Sequence, residues 1–244
     1  MTKILTGVVT NGKLRYALDH MITCISKQSV PSDKLFVVNN GEDAYATLIR
    51  SKNLPDSKVV ESSCSAPSRT QRFAEACNLI REHALERDYD YVLLVDGSVM
   101  IPALATQLLL LANADVAAGA YLKDFDVGGE RVIAPALFKD EGDGNCRLYT
   151  YEGAAIPRVF EVGAAGLGCV LVRRRVLEKV KFRSFSESGV DSAFFVDARS
   201  SGFKCVANTA VKCLNMPYPI SDPRAKLYEW KKSVRSMTVD FKYG

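Results

Sequence analysis

One segment constrains the fold of this chain more than any other: DYDYVLLVDGSVMIP, residues 88–102. A continuously apolar run, residues 91–95, leads directly into Asp96, Gly97 and Ser98. A carboxylate at the end of a buried strand costs free energy unless a partner uses its charge, and open α/β sheets bind ligands at the carboxyl ends of their strands. Because Asp and Gly also favour turns, the segment predicts either a ligand-binding strand end or an ordinary polar turn.

Strand-like and helix-like patterns alternate through the first half of the chain. Apolar runs occupy residues 3–9, 35–38, 58–61, 91–95 and 115–120. Helical patterns fall between them at residues 14–25, 42–50, 68–87 and 102–111, the last with Pro102 at the favoured first helical position. The alternation predicts βαβ units, and the continuously apolar strands predict a mostly parallel sheet covered by helices on both faces.

The second half of the chain has a mixed character. A polar stretch with two glycines, residues 123–130, predicts a loop. Short strand patterns follow at residues 133–139, 146–151, 160–162 and 169–172, and helical patterns at 173–180 and 190–201. Two more strand patterns, at 203–206 and 210–214, precede a basic helix that is predicted to begin at Pro223 and to end near Met237.

The composition excludes several classes of protein. The 244 residues are 48% hydrophobic and 25% charged, as in an ordinary globular protein. A net charge of +4 is too small to indicate nucleic-acid binding, but it suits an anionic ligand such as a diphosphate. The seven cysteines include no C-x-x-C pair, which favours reduced thiols in a cytoplasmic protein over a zinc or redox motif. The N-terminal residues lack a secretory pattern, and the longest apolar run is too short for a bilayer.

Four segments, in this order, resemble the glycosyltransferases of the GT-A fold, especially the family-2-like group. They are VVTNGKLRYALDHMITCISKQSVPSDKLFVVNNGED (8–43), ACNLIREHALERDYDYVLLVDGSVMIP (76–102), VGAAGLGCVLVRRRVLEKVKF (162–182) and VDSAFFVDARSSGFKCVANTAVKC (190–213). The resemblance implies a single α/β, Rossmann-like GT-A domain at residues 1–222, with a nucleotide-binding half at 1–120 and an acceptor half at 121–222. A C-terminal basic helix and tail would occupy residues 223–244.

The resemblance also implies a set of site residues. The DxD motif of the family is degenerate here, since it reads Asp96-Gly97-Ser98. This implies a divalent cation, Mn or Mg, that binds weakly to Asp96 and Ser98 or is dispensed with. Asp191, at the start of a helix, is the implied general base. The implied contacts to the nucleotide-sugar are Thr10, Asn11, Asn39, Asn40, Arg69, Arg72, Asp96, Gly97 and Gly166.

Three further positions depart from the family pattern. Its Glu-Asp pair reads Val190-Asp191, and its Arg-Asn pair on the helix before the DxD reads Cys77-Asn78. A late His that often reaches the metal in the family falls near Asn215. These changes bear on metal use and on catalysis itself.

The implied function is transfer of a sugar from a nucleotide-sugar donor to a glycan, protein or lipid-linked acceptor hydroxyl, with inversion. One alternative is a catalytically decayed GT-A protein that binds sugar nucleotides or glycans. A second is a nucleotidyltransferase, which usually has more Arg and Lys after its first strand than the Thr10-Asn11-Gly12-Lys13 of this chain.

Several of these features also have a purely structural interpretation. The polar strand-end residues can act as turn or helix caps, the arginines as a solvated helix face, and the glycines around Gly166 as packing positions. The terminal basic helix either lies on an anionic membrane surface or packs on the domain. The residues of this helix that would make either contact are Lys226, Leu227, Trp230, Lys231, Lys232, Val234 and Arg235.

Overall fold

The structure is a computed structural model that describes residues 2–39, 42–63, 66, 68–142, 145–185 and 189–230. Eight strands form the central sheet: β1 (Ile4–Thr10), β2 (Asp33–Val38), β3 (Ser57–Glu61), β4 (Tyr91–Asp96), β6 (Val116–Ala120), β11 (Val159–Glu161), β13 (Cys169–Arg173) and β14 (Cys205–Lys212). Seven short strands lie outside it: β5 (Val99–Met100), β7 (Leu122–Val127), β8 (Glu130–Pro135), β9 (Leu137–Gly142), β10 (Asn145–Leu148), β12 (Ala164–Ala165) and β15 (Leu214–Asn215).

The helices are α1 (Leu18–Ser26), α2 (Asp43–Arg50), α3 (Arg69–Glu86), α4 (Ala105–Leu111), α5 (Tyr151–Ala155), α6 (Arg174–Lys179) and α7 (Gly189–Ser200). Two 3-10 helices span Gly12–Ala17 and Pro223–Tyr228. Among the described residues, no helix combines the length and the apolar character that crossing a bilayer requires.

The central sheet is mostly parallel, as the sequence predicts. Its strand order is β11-β14-β6-β13-β4-β1-β2-β3, and only β13 and β11 run against the others. Because β1, β2, β3 and β4 are neighbours and point the same way, their carboxyl ends lie along one edge. The polar residues that follow these strands are therefore brought to a common place.

Two apolar layers cover the sheet because successive side chains of a strand point to opposite faces. One layer contains Val9, Val37 and Leu94 with Ile80 of α3, Leu177 of α6 and Phe194 of α7. The other contains Val8, Phe36 and Leu93 with Met21 of α1, Ile49 of α2 and Leu109 of α4. Burial on both faces explains why these strands are apolar throughout instead of alternating with polar residues.

The prediction of a loop at residues 123–130 is wrong. Leu122–Val127 forms β7, which pairs with β8 in an antiparallel hairpin. The turn consists of Gly128 and Gly129, with φ of 63° and 88°. Positive φ at both positions is what a tight hairpin turn requires, and glycine reaches it without strain.

Other predicted boundaries also change. The helix predicted from Pro102 begins at Ala105, and the strand predicted at 146–151 ends at Leu148, after which α5 begins. The strands predicted at 203–206 and 210–214 are largely one strand, β14, whose pairing with β6 shifts register between Asn208 and Lys212. That irregularity interrupts the apolar pattern and makes one strand look like two.

The C-terminal helix predicted from Pro223 is a 3-10 helix that ends at Tyr228. The indole N–H of Trp230 donates to the carbonyl oxygen of Cys213 at 3.0 Å, and Lys212 Nζ lies 5.1 Å from the centre of its ring. Trp230 therefore packs on the domain. Residues 231–244, with Lys231, Lys232 and Arg235, lie outside the described residues.

Asn78 of α3 ties the segment after α6 to the core. Its side-chain amide donates to the carbonyl oxygen of Phe182 (2.8 Å) and accepts the backbone N–H of the same residue (2.9 Å). The Phe182 ring stacks on Phe194 of α7, with ring centroids 4.6 Å apart. Asn78 thus helps to fix α7, the helix that carries Asp191 in its first turn.

We expect Asn78→Ala to lower the free energy of unfolding by about 2 kcal/mol, because the backbone groups of Phe182 lose both partners. At this chain length the melting temperature should fall by about 4–8 °C, which calorimetry can measure. Glu75→Ala, at an exposed position of the same helix, is the control and should have little effect. Equal melting temperatures for the two variants would show that the Asn78 bonds do not stabilise the fold.

Candidate active site at the carboxyl edge of the sheet

A cleft of about 690 Å³ opens where β1, β2 and β4 end. The first half of the chain contributes Asn11, Asn39 and Asp96 from the strand ends and Arg69 and Arg72 from the start of α3. The second half contributes Lys123 and Asp124 of β7, Leu167 and Gly168, Asp191 of α7 and Asn215 of β15. Asp96 and Asp191, which are 95 residues apart in the numbering, therefore line the same cleft.

The Asp96-Gly97-Ser98 turn is held in one conformation. The backbone N–H and the hydroxyl of Ser98 both donate to Asp96 Oδ1, at 2.8 and 2.6 Å. The Gly97 N–H donates to the carbonyl oxygen of Val9 at 2.9 Å. A Cβ on Gly97 would lie only 2.5 Å from Thr10 Oγ1, so glycine is required for the turn to pass this close to β1.

Oxygen atoms from both halves of the chain meet at this turn. Ser98 Oγ lies 3.2 Å from Asn215 Oδ1, and the Asn215 amide group donates to the carbonyl oxygen of Leu122 at 2.9 Å. Carboxylate, hydroxyl and amide oxygens are hard donors that suit Mg²⁺ or Mn²⁺. Within the described ranges, no group of three or more His, Cys, Asp or Glu side chains could hold a metal ion. The donor set thus fits a divalent cation only with further oxygen ligands from elsewhere.

Asp191 has the surroundings of a strengthened base. Its side chain is 24% exposed, and one carboxylate oxygen lies 3.5 Å from Lys123 Nζ. Burial raises the pKa of Asp191 and the charge of Asp96 raises it further, whereas Lys123 and a hydrogen bond from the Leu167 backbone lower it. Burial is the largest of these effects, so the pKa lies above its ordinary value. A carboxylate in this state accepts a proton more readily than an exposed one.

Tyr121 lines the same cleft as the two carboxylates. It is buried, and its hydroxyl oxygen accepts the Gly168 N–H at 3.3 Å. Burial raises the pKa of Tyr121, and the charges of Asp191 and Asp96 add to the effect. A Cβ on Gly166 would overlap the Tyr121 hydroxyl, and one on Gly168 would lie 2.8 Å from the ring. The two glycines are therefore required by packing against Tyr121, and Gly166 does not line the cleft.

Asn39 is the least satisfied polar group of the cleft. Its side chain is 7% exposed, and the carbonyl oxygen Oδ1 has no hydrogen-bond partner among the described residues. A buried acceptor without a partner costs about 1–3 kcal/mol. Its position in the cleft wall makes a ligand N–H or O–H a suitable partner.

The other strand-end residues differ in placement. Asn11 lines the cleft, and its side chain also caps the 3-10 helix by accepting the Lys13 N–H at 3.0 Å. Thr10 is buried behind the wall, where its hydroxyl lies 3.0 Å from that of Tyr45. Gly97 is likewise outside the lining. Asn40 lies outside the described residues. For all four of these residues, direct contact with a ligand stays a prediction.

Cations outnumber carboxylates by one in the lining of the cleft. Lys13, Arg69, Arg72 and Lys123 line it, against Asp96, Asp124 and Asp191. Asp124 is already paired with Arg131. The lining also contains four residues that were not predicted as ligand contacts: Lys13, Tyr121, Lys123 and Asn215. The pair Gly128-Gly129, typical of a two-residue hairpin turn, was the available signal that Lys123 lies in a strand.

Comparison with known proteins places this site in a known type of fold. No family model and no curated protein matches the sequence. The solved structures that resemble it include a mannosyltransferase from Pyrobaculum calidifontis in complex with GDP-Man and Mn²⁺, with a TM-score of 0.58 and 15% identity over 89% of this chain and 58% of that one. A 4-diphosphocytidyl-2C-methyl-D-erythritol synthase from Anaerococcus prevotii has a TM-score of 0.54 and 12% identity over 93% of both chains.

A third similar structure is A197 from STIV, with a TM-score of 0.52 and 17% identity over 89% of this chain and 87% of that one. At these identities the likeness concerns the fold alone. The chain has a GT-A-like, Rossmann-like α/β domain, which confirms the predicted fold class.

We expect cation binding to depend on a diphosphate. Thermal unfolding should be measured with Mn²⁺ alone, with each of UDP, GDP, CDP and dTDP alone, and with both together. Mn²⁺ alone should have little effect, because one carboxylate is too few. A matching diphosphate with Mn²⁺ at about 100 times the dissociation constant should add about 2.7 kcal/mol, or about 5–10 °C. Asp96→Asn is the control that should remove the effect of Mn²⁺. Tight binding of Mn²⁺ to the protein alone would contradict this.

Proposed function

We propose that this protein is an inverting glycosyltransferase that moves a sugar from a nucleotide-sugar donor to an acceptor hydroxyl, with Asp191 as the general base. The observation that carries the proposal is the single cleft shared by Asp96 and Asp191. Asp96 is restrained by Ser98 at the strand ends, whereas Asp191 is a partly buried carboxylate with a raised pKa. Two carboxylates with such different surroundings suit different roles.

The donor occupies the strand-end side of the cleft in this proposal. Lys13, Arg69 and Arg72 supply positive charge for the diphosphate, and arginine binds phosphate oxygens in a planar fork. Asn39 Oδ1, which has no protein partner among the described residues, accepts an N–H or O–H of the nucleoside. Asp96, Ser98 and Asn215 would hold the divalent cation, which as a Lewis acid stabilises the departing diphosphate.

The acceptor enters on the side of α7. Its hydroxyl proton passes to the Asp191 carboxylate while the oxygen bonds to the anomeric carbon, and the bond from that carbon to the diphosphate breaks. The Leu167 N–H and Lys123 Nζ orient the carboxylate. Because attack comes from the face opposite the leaving group, the configuration inverts. The acceptor alcohol belongs to a glycan, a protein or a lipid-linked sugar.

A nucleotidyltransferase is the second candidate, supported by the structural likeness to the 4-diphosphocytidyl-2C-methyl-D-erythritol synthase over 93% of both chains. Transfer to a phosphate acceptor needs no general base, since the phosphate is already ionised. Only Asn11 separates β1 from the 3-10 helix, and between residues 11 and 17 Lys13 is the one cation that lines the cleft. A partly buried base and a short loop favour sugar transfer.

The two reactions release different products, so one assay separates them. The protein is incubated with UDP-, GDP-, CDP- and dTDP-sugars, and separately with nucleoside triphosphates and sugar phosphates, with and without Mn²⁺. Release of nucleoside diphosphate supports the proposal, and release of pyrophosphate supports the second candidate. Nucleotide-sugar binding without turnover would identify a binding protein that has lost activity.

Asp191→Asn should lower kcat by about 10²–10⁴-fold, the usual contribution of a general base. Nucleotide binding, measured by calorimetry, should change little because the amide keeps the shape of the carboxylate. Asp197→Asn, on the same helix but outside the cleft and paired with Arg183, is the matched control and should stay active. A fully active Asp191→Asn variant would mean that another group takes the proton.

Lys123→Met should move the acidic limb of the kcat–pH profile to higher pH. The Lys123 ammonium group lowers the pKa of Asp191, so its removal raises that pKa. The base must be deprotonated to act, and the rate then rises only at higher pH. Lys123→Arg keeps the charge and should leave the limb near its original position. If the acidic limb of the kcat–pH profile moved to lower pH in Lys123→Met, Asp191 would be excluded as the titrating base.

A further inference from the structure

A second depression, of about 430 Å³, lies far from the cleft. Its wall is formed by the C-terminal ends of α6 and α7 and by the middle of α3. Arg173, the residue before α6, pairs with Tyr91 at the first position of β4, whereas Asp96 is the last residue of that strand. The depression and the cleft therefore lie at opposite ends of β4, about one strand length or about 17–20 Å apart.

Arg81 lines the depression and is a charged residue that is largely buried. Its side chain is 8% exposed, and its Nε–H donates to the carbonyl oxygens of Leu177 (2.6 Å) and Val180 (3.1 Å) at the end of α6. Neither Nη group has a hydrogen-bond partner among the described residues, and no carboxylate there forms an ion pair with it. The backbone carbonyls at the end of α6 satisfy only Nε, which leaves both Nη groups open to a ligand in the depression.

The rim of the depression adds positive charge. Lys179, Lys181 and Arg183 line it with the carboxylates Glu178 and Asp197. Both carboxylates already form ion pairs, Glu178 with Arg174 outside the lining and Asp197 with Arg183 of the rim. Glu178 accepts from Arg174 at 2.8 Å, and Asp197 accepts two bonds from Arg183 at 2.7 Å. Arg81 and the two lysines are therefore left without a paired carboxylate among the described residues.

We propose that this depression binds a phosphate group, from a soluble phosphorylated compound or from a lipid headgroup. The two Nη groups of Arg81 form a planar fork that matches two phosphate oxygens. Lys181 is exposed at the rim, where it can reach a third oxygen, and the hydroxyls of Ser200 and Ser201 border the same space. A phosphate near neutral pH carries up to two negative charges, which matches this excess of cations better than a single carboxylate does.

The test is a titration of the whole protein with inorganic phosphate, followed by ¹H–¹⁵N NMR, with sodium chloride of equal ionic strength as the reference. Phosphate can also enter the cleft, so the readout must be local. The amides of residues 180–183 and 200–201 report on the depression, and those of residues 11 and 98 report on the cleft. We expect saturable shifts of the first set.

Two variants keep the result interpretable. Lys181→Met, at an exposed position, should weaken phosphate binding at the depression by about fivefold, the effect of one charge-assisted contact. Arg81→Met should abolish it if the protein folds, as its remaining NMR signals will show. Lys58→Met, another exposed lysine, should leave it unchanged. Wild-type affinity in Lys181→Met and Arg81→Met, or shifts no larger than chloride produces, would overturn the proposal.

Sedimentation with vesicles distinguishes the two sources of phosphate. Vesicles of phosphatidylcholine with phosphatidic acid are compared with vesicles of phosphatidylcholine alone. Sedimentation with the former only, reduced in Lys181→Met, assigns the site to a lipid headgroup. Saturable phosphate binding without sedimentation assigns it to a soluble phosphorylated compound. Sedimentation that Lys181→Met and Arg81→Met leave unchanged would place membrane contact outside this depression.

Discussion

The bonds between the end of β4 and the last strand of the domain hold the cleft together. Ser98 binds Asp96 through its N–H and its hydroxyl, and its carbonyl oxygen accepts the Met216 N–H at 2.7 Å. Its hydroxyl also lies 3.2 Å from Asn215, a contact across 117 residues of sequence. The short strands β5 and β15 pair at the same point. Asp96 thus has a fixed position because both halves of the chain restrain it, as a preorganised site requires.

The central sheet could be predicted because local signals and tertiary burial agree there. All seven residues of β1 are buried, and a strand covered on both faces appears in the sequence as one apolar run. The same agreement identified the end of β4, where the apolar run stops at Asp96. The 18-residue helix α3 was equally clear, since its buried positions recur at helical spacing. Strand ends of a parallel sheet converge, so the general location of the site followed from topology.

The wall of the cleft could not be predicted to the same degree, because it depends on contacts between distant segments. Gly166 was expected either to contact the nucleotide-sugar or to serve packing, and Tyr121, 47 residues from Gly168, occupies the space beside these glycines. Lys123 lies in a short, half-exposed strand whose polar residues resemble a loop. Asn215, whose position the family resemblance had associated with the metal, reaches the site because β15 pairs with β5. Each of these features depends on a neighbour that no local window contains.

Asp96 and Asp191, which line the same cleft, are electrostatically coupled. Two unit charges about 4 Å apart interact by about 4 kcal/mol at an effective dielectric constant of 20. A single arginine beside an anionic ligand therefore contributes on this scale. Negative charge at Asp96 raises the pKa of Asp191, and positive charge bound near Asp96 must oppose that shift. Lys123 lowers the same pKa, so a cation bound near Asp96 and the Lys123 ammonium group act on the Asp191 carboxylate in the same direction.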